Sequence, residues 1–122
     1  MESQAVMRIL TACWIGLFKT HRSPALLYEN GKNPNPLRRM RVAEILAGFD
    51  APPPQMLGVY RRAAILARAG VDSLDAVHLA FAEAMKADYF ITCDDDLLRI
   101  AARLRVKTVI MDPIAFVKEN NV

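Results

Sequence analysis

The sequence is poor in the residues that mark several common functional classes. It has two cysteines, Cys13 and Cys93, with no metal-ligand spacing between them, so a zinc module is excluded. Each sits in an apolar context and is expected to be a reduced, packed thiol, as in the cytosol. No P-loop, dinucleotide fingerprint or metalloprotease helix is present. The most apolar run, Leu10 to Phe18, falls far short of the roughly 20 residues that span a bilayer, so no membrane partner is expected. Glu2 precedes the first basic residue and no small-residue cleavage site follows, which argues against a signal peptide and for a cytoplasmic location. Internal repeats and low-complexity tracts are also missing.

What is there suits one domain. A chain of 122 residues holds one core, spanning 1–122. With 53% hydrophobic and 24% charged residues, it reads as globular rather than disordered. The net charge of +3 hides a division. Residues 1–70 carry ten Lys/Arg against four Asp/Glu, whereas residues 71–122 carry six against nine. A basic half beside an acidic half fits a protein that attracts a polyanion and holds a cation near it. An ordinary solvated surface fits that balance as readily.

Periodicity and punctuation set the elements. Val6, Ile9, Leu10, Cys13 and Trp14 recur at helical spacing, predicting a helix over 3–16 with Trp14 in the core. A short strand is expected from Leu17 to His21. Ser23-Pro24 reads as an N-cap followed by proline at the first helical position, opening a helix through Glu29. Gly31 to Pro36 is a turn cluster, and Leu37 to Leu46 a basic helix bearing Arg38, Arg39 and Arg41. Asp50 to Pro54 is a rigid loop before a helix over Gln55 to Ala69, with Arg61, Arg62 and Arg68. Asp72 caps a helix from Ser73 to Lys86. Tyr89 to Cys93 is a strand, Asp95 to Leu104 a helix, Thr108 to Met111 a strand, and Asp112-Pro113 opens a terminal helix. Helix–strand–helix–strand order with short connections predicts a parallel α/β sheet.

That order brings acids together. Asp75 stands near the start of its helix and Asp94 just past the next strand. About 13 helical residues rise roughly 20 Å, and a strand of about six residues returns roughly the same distance. Both acids therefore lie at the carboxyl edge of the parallel strands, where open α/β sheets place their sites. Asp94, Asp95 and Asp96 repel one another unless a cation sits among them. A hard ion such as Mg²⁺ or Mn²⁺ suits them and could activate water at a phosphodiester. Capping remains an equal explanation for Asp72 with Asp75, and for Asp94 to Asp96. His78, one turn beyond Asp75, reads as a hydrogen-bonded structural histidine ahead of a catalytic base. Glu29 reads locally as a surface acid, and the arginines as a solvated face that could also grip phosphates.

The strings Leu74-Asp75-Ala76-Val77-His78-Leu79-Ala80 and Ala87-Asp88-Tyr89-Phe90-Ile91-Thr92-Cys93-Asp94 resemble the second-half signature of the PIN-domain superfamily. Asp95-Asp96-Leu97-Leu98 and Val109-Ile110-Met111-Asp112-Pro113 also fit. The resemblance is strong over 71–118 and weaker upstream, where Ser23 to Glu29 is similar to the family's second strand-to-helix segment. It implies a three-layer α/β fold, a small parallel sheet flanked by helices. It also implies an Mg²⁺- or Mn²⁺-dependent ribonuclease, of the kind found as toxins in toxin–antitoxin pairs. RNA, an antitoxin protein and a second copy of the chain are the partners it suggests. By resemblance Glu29, Asp75 and Asp94 are catalytic and metal-binding, Asp96 is an additional water-mediated ligand, and Thr92 orients a carboxylate or water, with His78 in support. The chain departs from the pattern at its beginning. Family members open with a strand ending in Asp, whereas residues 1–16 align with the helix that follows it. The expectation is an N-terminally incomplete PIN-like domain. A module that binds RNA or a protein without cleaving is the alternative reading.

Overall fold

Helix α5 (Ser73–Ala84) is the hub of the structure, because its sequence is apolar on nearly every side. Ala76, Leu79 and Ala80 are at most 1% exposed, and Phe81 and Ala82 are also buried. Such a helix needs partners all round. In the computed structural model, which describes residues 2–51 and 58–122, α4 (Val59–Arg68) covers the largest part of it. Val59, Ala63 and Leu66 of α4 pack with Leu79 and Phe81, joined by Val71 and by Leu97 of α6 (Asp95–Ala101). A polar clamp fixes the same pair. Arg62 Nε donates to Glu83 Oε1 at 2.8 Å, and its Nη2 donates to the Arg105 carbonyl at 2.9 Å.

The sheet among the described residues has two parallel strands, β1 (Tyr89–Ile91) and β2 (Val109–Met111), with Phe90 opposite Ile110. Successive side chains on a strand face opposite ways. Phe90 accordingly joins the α4–α5 core, while Tyr89 meets Phe116 of α7 (Pro113–Asn120) edge to face, centroids 4.9 Å apart. Helix α1 (Glu2–Trp14) lies against α7, and Phe18 stacks on Phe116 from that side. Helices therefore cover both faces of a small sheet, the three-layer α/β arrangement expected from the sequence. Helix α2 (Pro24–Gly31) packs on α3 (Pro36–Ala47) and on α5. Ser23 and Asn35 cap these two helices, each with proline at the first position.

Three expectations are corrected. Leu17 to His21 forms no strand. Among the described residues its pairing is a single parallel bridge between His21 and Asp50, in which the Asp50 amide donates to Thr20 and its carbonyl accepts from Arg22. Gly16, at φ +87°, reverses the chain after α1, and the segment meets no ladder long enough to satisfy a strand. Trp14 is 91% exposed rather than in the core. The buried positions of α1 are Ala5 and Ala12, so the inward stripe is narrow and Trp14 falls outside it. Cys93 is exposed, because β1 ends at Ile91 and the chain turns out of the sheet. The Glu2 carboxylate, hydrogen-bonded to its thiol, pushes the Cys93 pKa up. The residues Pro52 to Pro54 of the expected rigid loop and the helix start Gln55 to Leu57 lie outside the described residues.

The hub argument predicts that Leu79→Ala costs about 2–5 kcal/mol of unfolding free energy. Urea denaturation would measure it, and a loss under half a kilocalorie would contradict the packing described.

Candidate active site

The chain reverses twice around one end of α5, and each reversal delivers an acid. Gly70, at φ +110°, ends α4 by a tight turn in which Val71 donates to the Leu66 carbonyl. Val71 then enters the core and Asp72 becomes the N-cap of α5, its Oδ2 accepting from the Leu74 amide at 3.3 Å. Asp75 follows on the first turn, half-buried. Among the described residues it accepts no hydrogen bond, so capping accounts for Asp72 and not for Asp75.

Asp94 arrives from the other direction, at the junction of β1 and α6. Its backbone amide donates to Thr92 Oγ1 at 3.1 Å. Its Oδ1 accepts from the Asp96 and Leu97 amides at 2.9 and 3.2 Å, capping α6. The two oxygens thus differ. Oδ1 is committed to the helix, whereas Oδ2 makes no hydrogen bond among the described residues. Thr92 orients Asp94 through the main chain. Asp96 is exposed and pairs with Arg99 at 3.2 Å, one turn along α6.

Glu29 comes from α2, and a carboxylate that reads locally as a surface acid proves to be engaged. Its Oε2 lies 2.9 Å from His78 Nε2. The His78 ring is buried. Glu29, Asp72, Asp75, Asp94, Asp96 and Arg99 line one open cleft of about 700 Å³, floored by Val71, Leu74, Leu97 and Ile100. Glu29, Asp75, Asp94 and Asp96 are on it, whereas Asp95 is not among its lining residues, although grouped with its two neighbours in the sequence. Arg99 was not singled out there. Its three-residue spacing from Asp96 was the available signal, since such pairs share a helix face.

The acids sense one another. Burial pushes the pKa of Asp75 up, the Asp94 and Asp72 carboxylates push it further, Glu29 adds to this, and His78 offsets part. Among the described residues no three His, Cys, Asp or Glu side chains stand arranged to hold an ion. The donor chemistry nonetheless suits a hard divalent cation. Mg²⁺ takes one or two carboxylates and completes its shell with water. Asp75 and Asp94 both offer uncommitted oxygens, and a cation between them would relieve the repulsion.

The family model described as PIN domain matches residues 20–103, and the chain belongs to the PIN-domain family. Members of this family are usually nucleases and generally use divalent metal ions. No curated protein and no solved structure matches the chain. No helix among the described residues is long and apolar enough to cross a membrane.

A raised pKa at Asp75 has a definite sign in the linkage between protons and folding. The folded chain binds that proton more tightly than the unfolded one. The resulting stability is complete below the unfolded-state value and is lost as pH rises through the folded-state value. In EDTA, Asp75→Asn should therefore gain stability over the parent as pH is raised from the acid range to neutrality. Urea midpoints across that range would show it, and a difference independent of pH would contradict it.

Proposed function

We propose that this protein is a divalent-metal-dependent ribonuclease in which Glu29, Asp75 and Asp94 are the metal-binding and catalytic acids. The observation that carries the reading is the convergence of acids on one cleft. Glu29, Asp75 and Asp94, from three separate elements, line it together, and burial first and the neighbouring carboxylates second raise the proton affinity of Asp75. Mg²⁺ or Mn²⁺ bound there would activate water and stabilise the charge developing on a phosphodiester. Asp75 and Asp94 would hold the ion directly, with Glu29 beside them and Asp96 acting through water. Thr92 keeps Asp94 at its station by accepting from the Asp94 amide.

RNA as substrate is supported by the placement of positive charge. Arg38 and Arg41 are exposed on α3, which packs on the helix that carries Glu29. Arg68 is exposed on the last turn of α4, between the cleft residues Ala67 and Gly70. Arg99 stands on the cleft itself. RNA lying on the cleft would have Arg99 within it for its phosphates, with the exposed arginines of α3 and α4 on the helices around it. Action as a cytoplasmic toxin, with an antitoxin partner and a homodimeric state, is part of the same proposal and rests on the family alone.

A second reading is favoured by one observation. As they stand, the described side chains include no ready-made three-ligand group. A PIN-like module that binds RNA or a protein without cleaving would have that character. An unpaired strand edge supports it, since β1 pairs with β2 alone among the described residues.

Cleavage assays on single-stranded RNA separate the two. The nuclease requires Mn²⁺-dependent cleavage that EDTA stops and added Mn²⁺ restores. Asp94→Asn should keep its fold, because asparagine caps as well as aspartate, and lose cleavage. Asp94→Ala should in addition lose about 1 kcal/mol of stability with the cap. Cleavage indifferent to EDTA or to Asp94→Asn would sink the nuclease. RNA retained on a filter but never cut, at high protein and metal, would favour the binding module.

A further inference from the structure

We infer that His78 is a positioning residue, one that holds the Glu29 carboxylate at the cleft so that its second oxygen is presented to the metal. The inference rests on the metal-site reading proposed above. Glu29 lies near the end of α2 with its side chain 56% exposed, and α2 itself offers nothing to hold it there. A free glutamate at such a place samples many rotamers, and ordering it on metal binding would cost entropy. His78, only 6% exposed, reaches it from α5 at 2.9 Å.

A neutral ring has one arrangement that satisfies this contact. A carboxylate only accepts, so Nε2 carries the proton and donates to Glu29 Oε2. Nδ1 is buried and has no partner among the described residues. A buried N–H left unpaired is rarer and costlier than an under-used acceptor. In the neutral ring Nδ1 is therefore the bare nitrogen and Nε2 carries the proton, and a second proton on the ring would leave the Nε2–H bond to Glu29 unchanged.

This ring is a poor choice for packing alone. Leucine would fill space between α5 and α2 without burying an unpaired nitrogen. The compensation for that nitrogen is the hydrogen bond on the other side of the ring. It fixes Oε2, leaves Oε1 without a hydrogen bond among the described residues, and does so without placing a lysine or arginine charge against the site. Asp75 stands three residues earlier on the same face of α5. One helix thus supplies a cleft carboxylate directly and orders a second one from its neighbour.

Calorimetric titration with Mn²⁺ tests this on the full chain. His78→Leu should fold with a melting midpoint at or above that of the parent, since it removes an unpaired polar atom. It should nevertheless bind Mn²⁺ about 10-fold more weakly, the scale on which outer-shell partners act. His78→Gln, whose side-chain amide reaches the same oxygen, should restore binding towards that of the parent. In a Glu29→Gln background His78→Leu should have no further effect. Nitrogen NMR of the labelled ring should show a proton at Nε2. Parent-like Mn²⁺ binding by folded His78→Leu overturns the inference and leaves the metal site standing. So does an equal loss in both backgrounds, or a ring without a proton at Nε2. A parent protein that binds no Mn²⁺ overturns both.

Discussion

Helix α5 is enclosed by α4, by the sheet and by α2, yet it has to begin in water. That single constraint organises the molecule. A helix whose Ala76, Leu79 and Ala80 are sealed from solvent cannot shift or rotate without opening the core. Its first turn is therefore fixed in space, and Asp72 and Asp75 with it. Everything else on the cleft is placed relative to that turn. The Gly70 reversal brings α4 to its side, the β1–α6 junction brings Asp94 opposite, and His78 ties α2 down one turn further in. The acids repel one another, and the packing behind them is what keeps them close.

The second half of the fold was legible in the sequence because its signals are local and agree with one another. Asp72, Asp94 and Asp112 are all caps, and each sits where a strand or turn gives way to an apolar helix. The first half was less so. Leu17 to His21 has the composition of a strand, but a strand also needs a neighbour, and pairing partners are not written in a five-residue window. Trp14 has helical spacing relative to Leu10, yet α1 buries only a stripe of alanines. Hydrophobicity reports what could be buried, and the breadth of the partner surface decides how much is.

The site divided in the same way. Helix rise and strand return were enough to bring Asp75 and Asp94 to one edge, because only one reversal separates them. Glu29 had no such path. It meets His78 across 49 residues, through a contact between α2 and α5 that no spacing rule reaches. Only the resemblance nominated it. The geometry then gave it a neighbour, and the neighbour an explanation for being a buried histidine.

The divided duty of Asp94 has a bearing on descent. One of its oxygens belongs to the fold, where it starts a helix, and the other is left uncommitted among the described residues. Asp75 has no comparable structural employment. If the cleft is the metal site proposed, a lineage that ceased to need catalysis would be free to let Asp75 drift, while Asp94 would be retained for the helix it begins. Among relatives of this protein, an aspartate at the position of Asp75 is therefore the better witness to a working site.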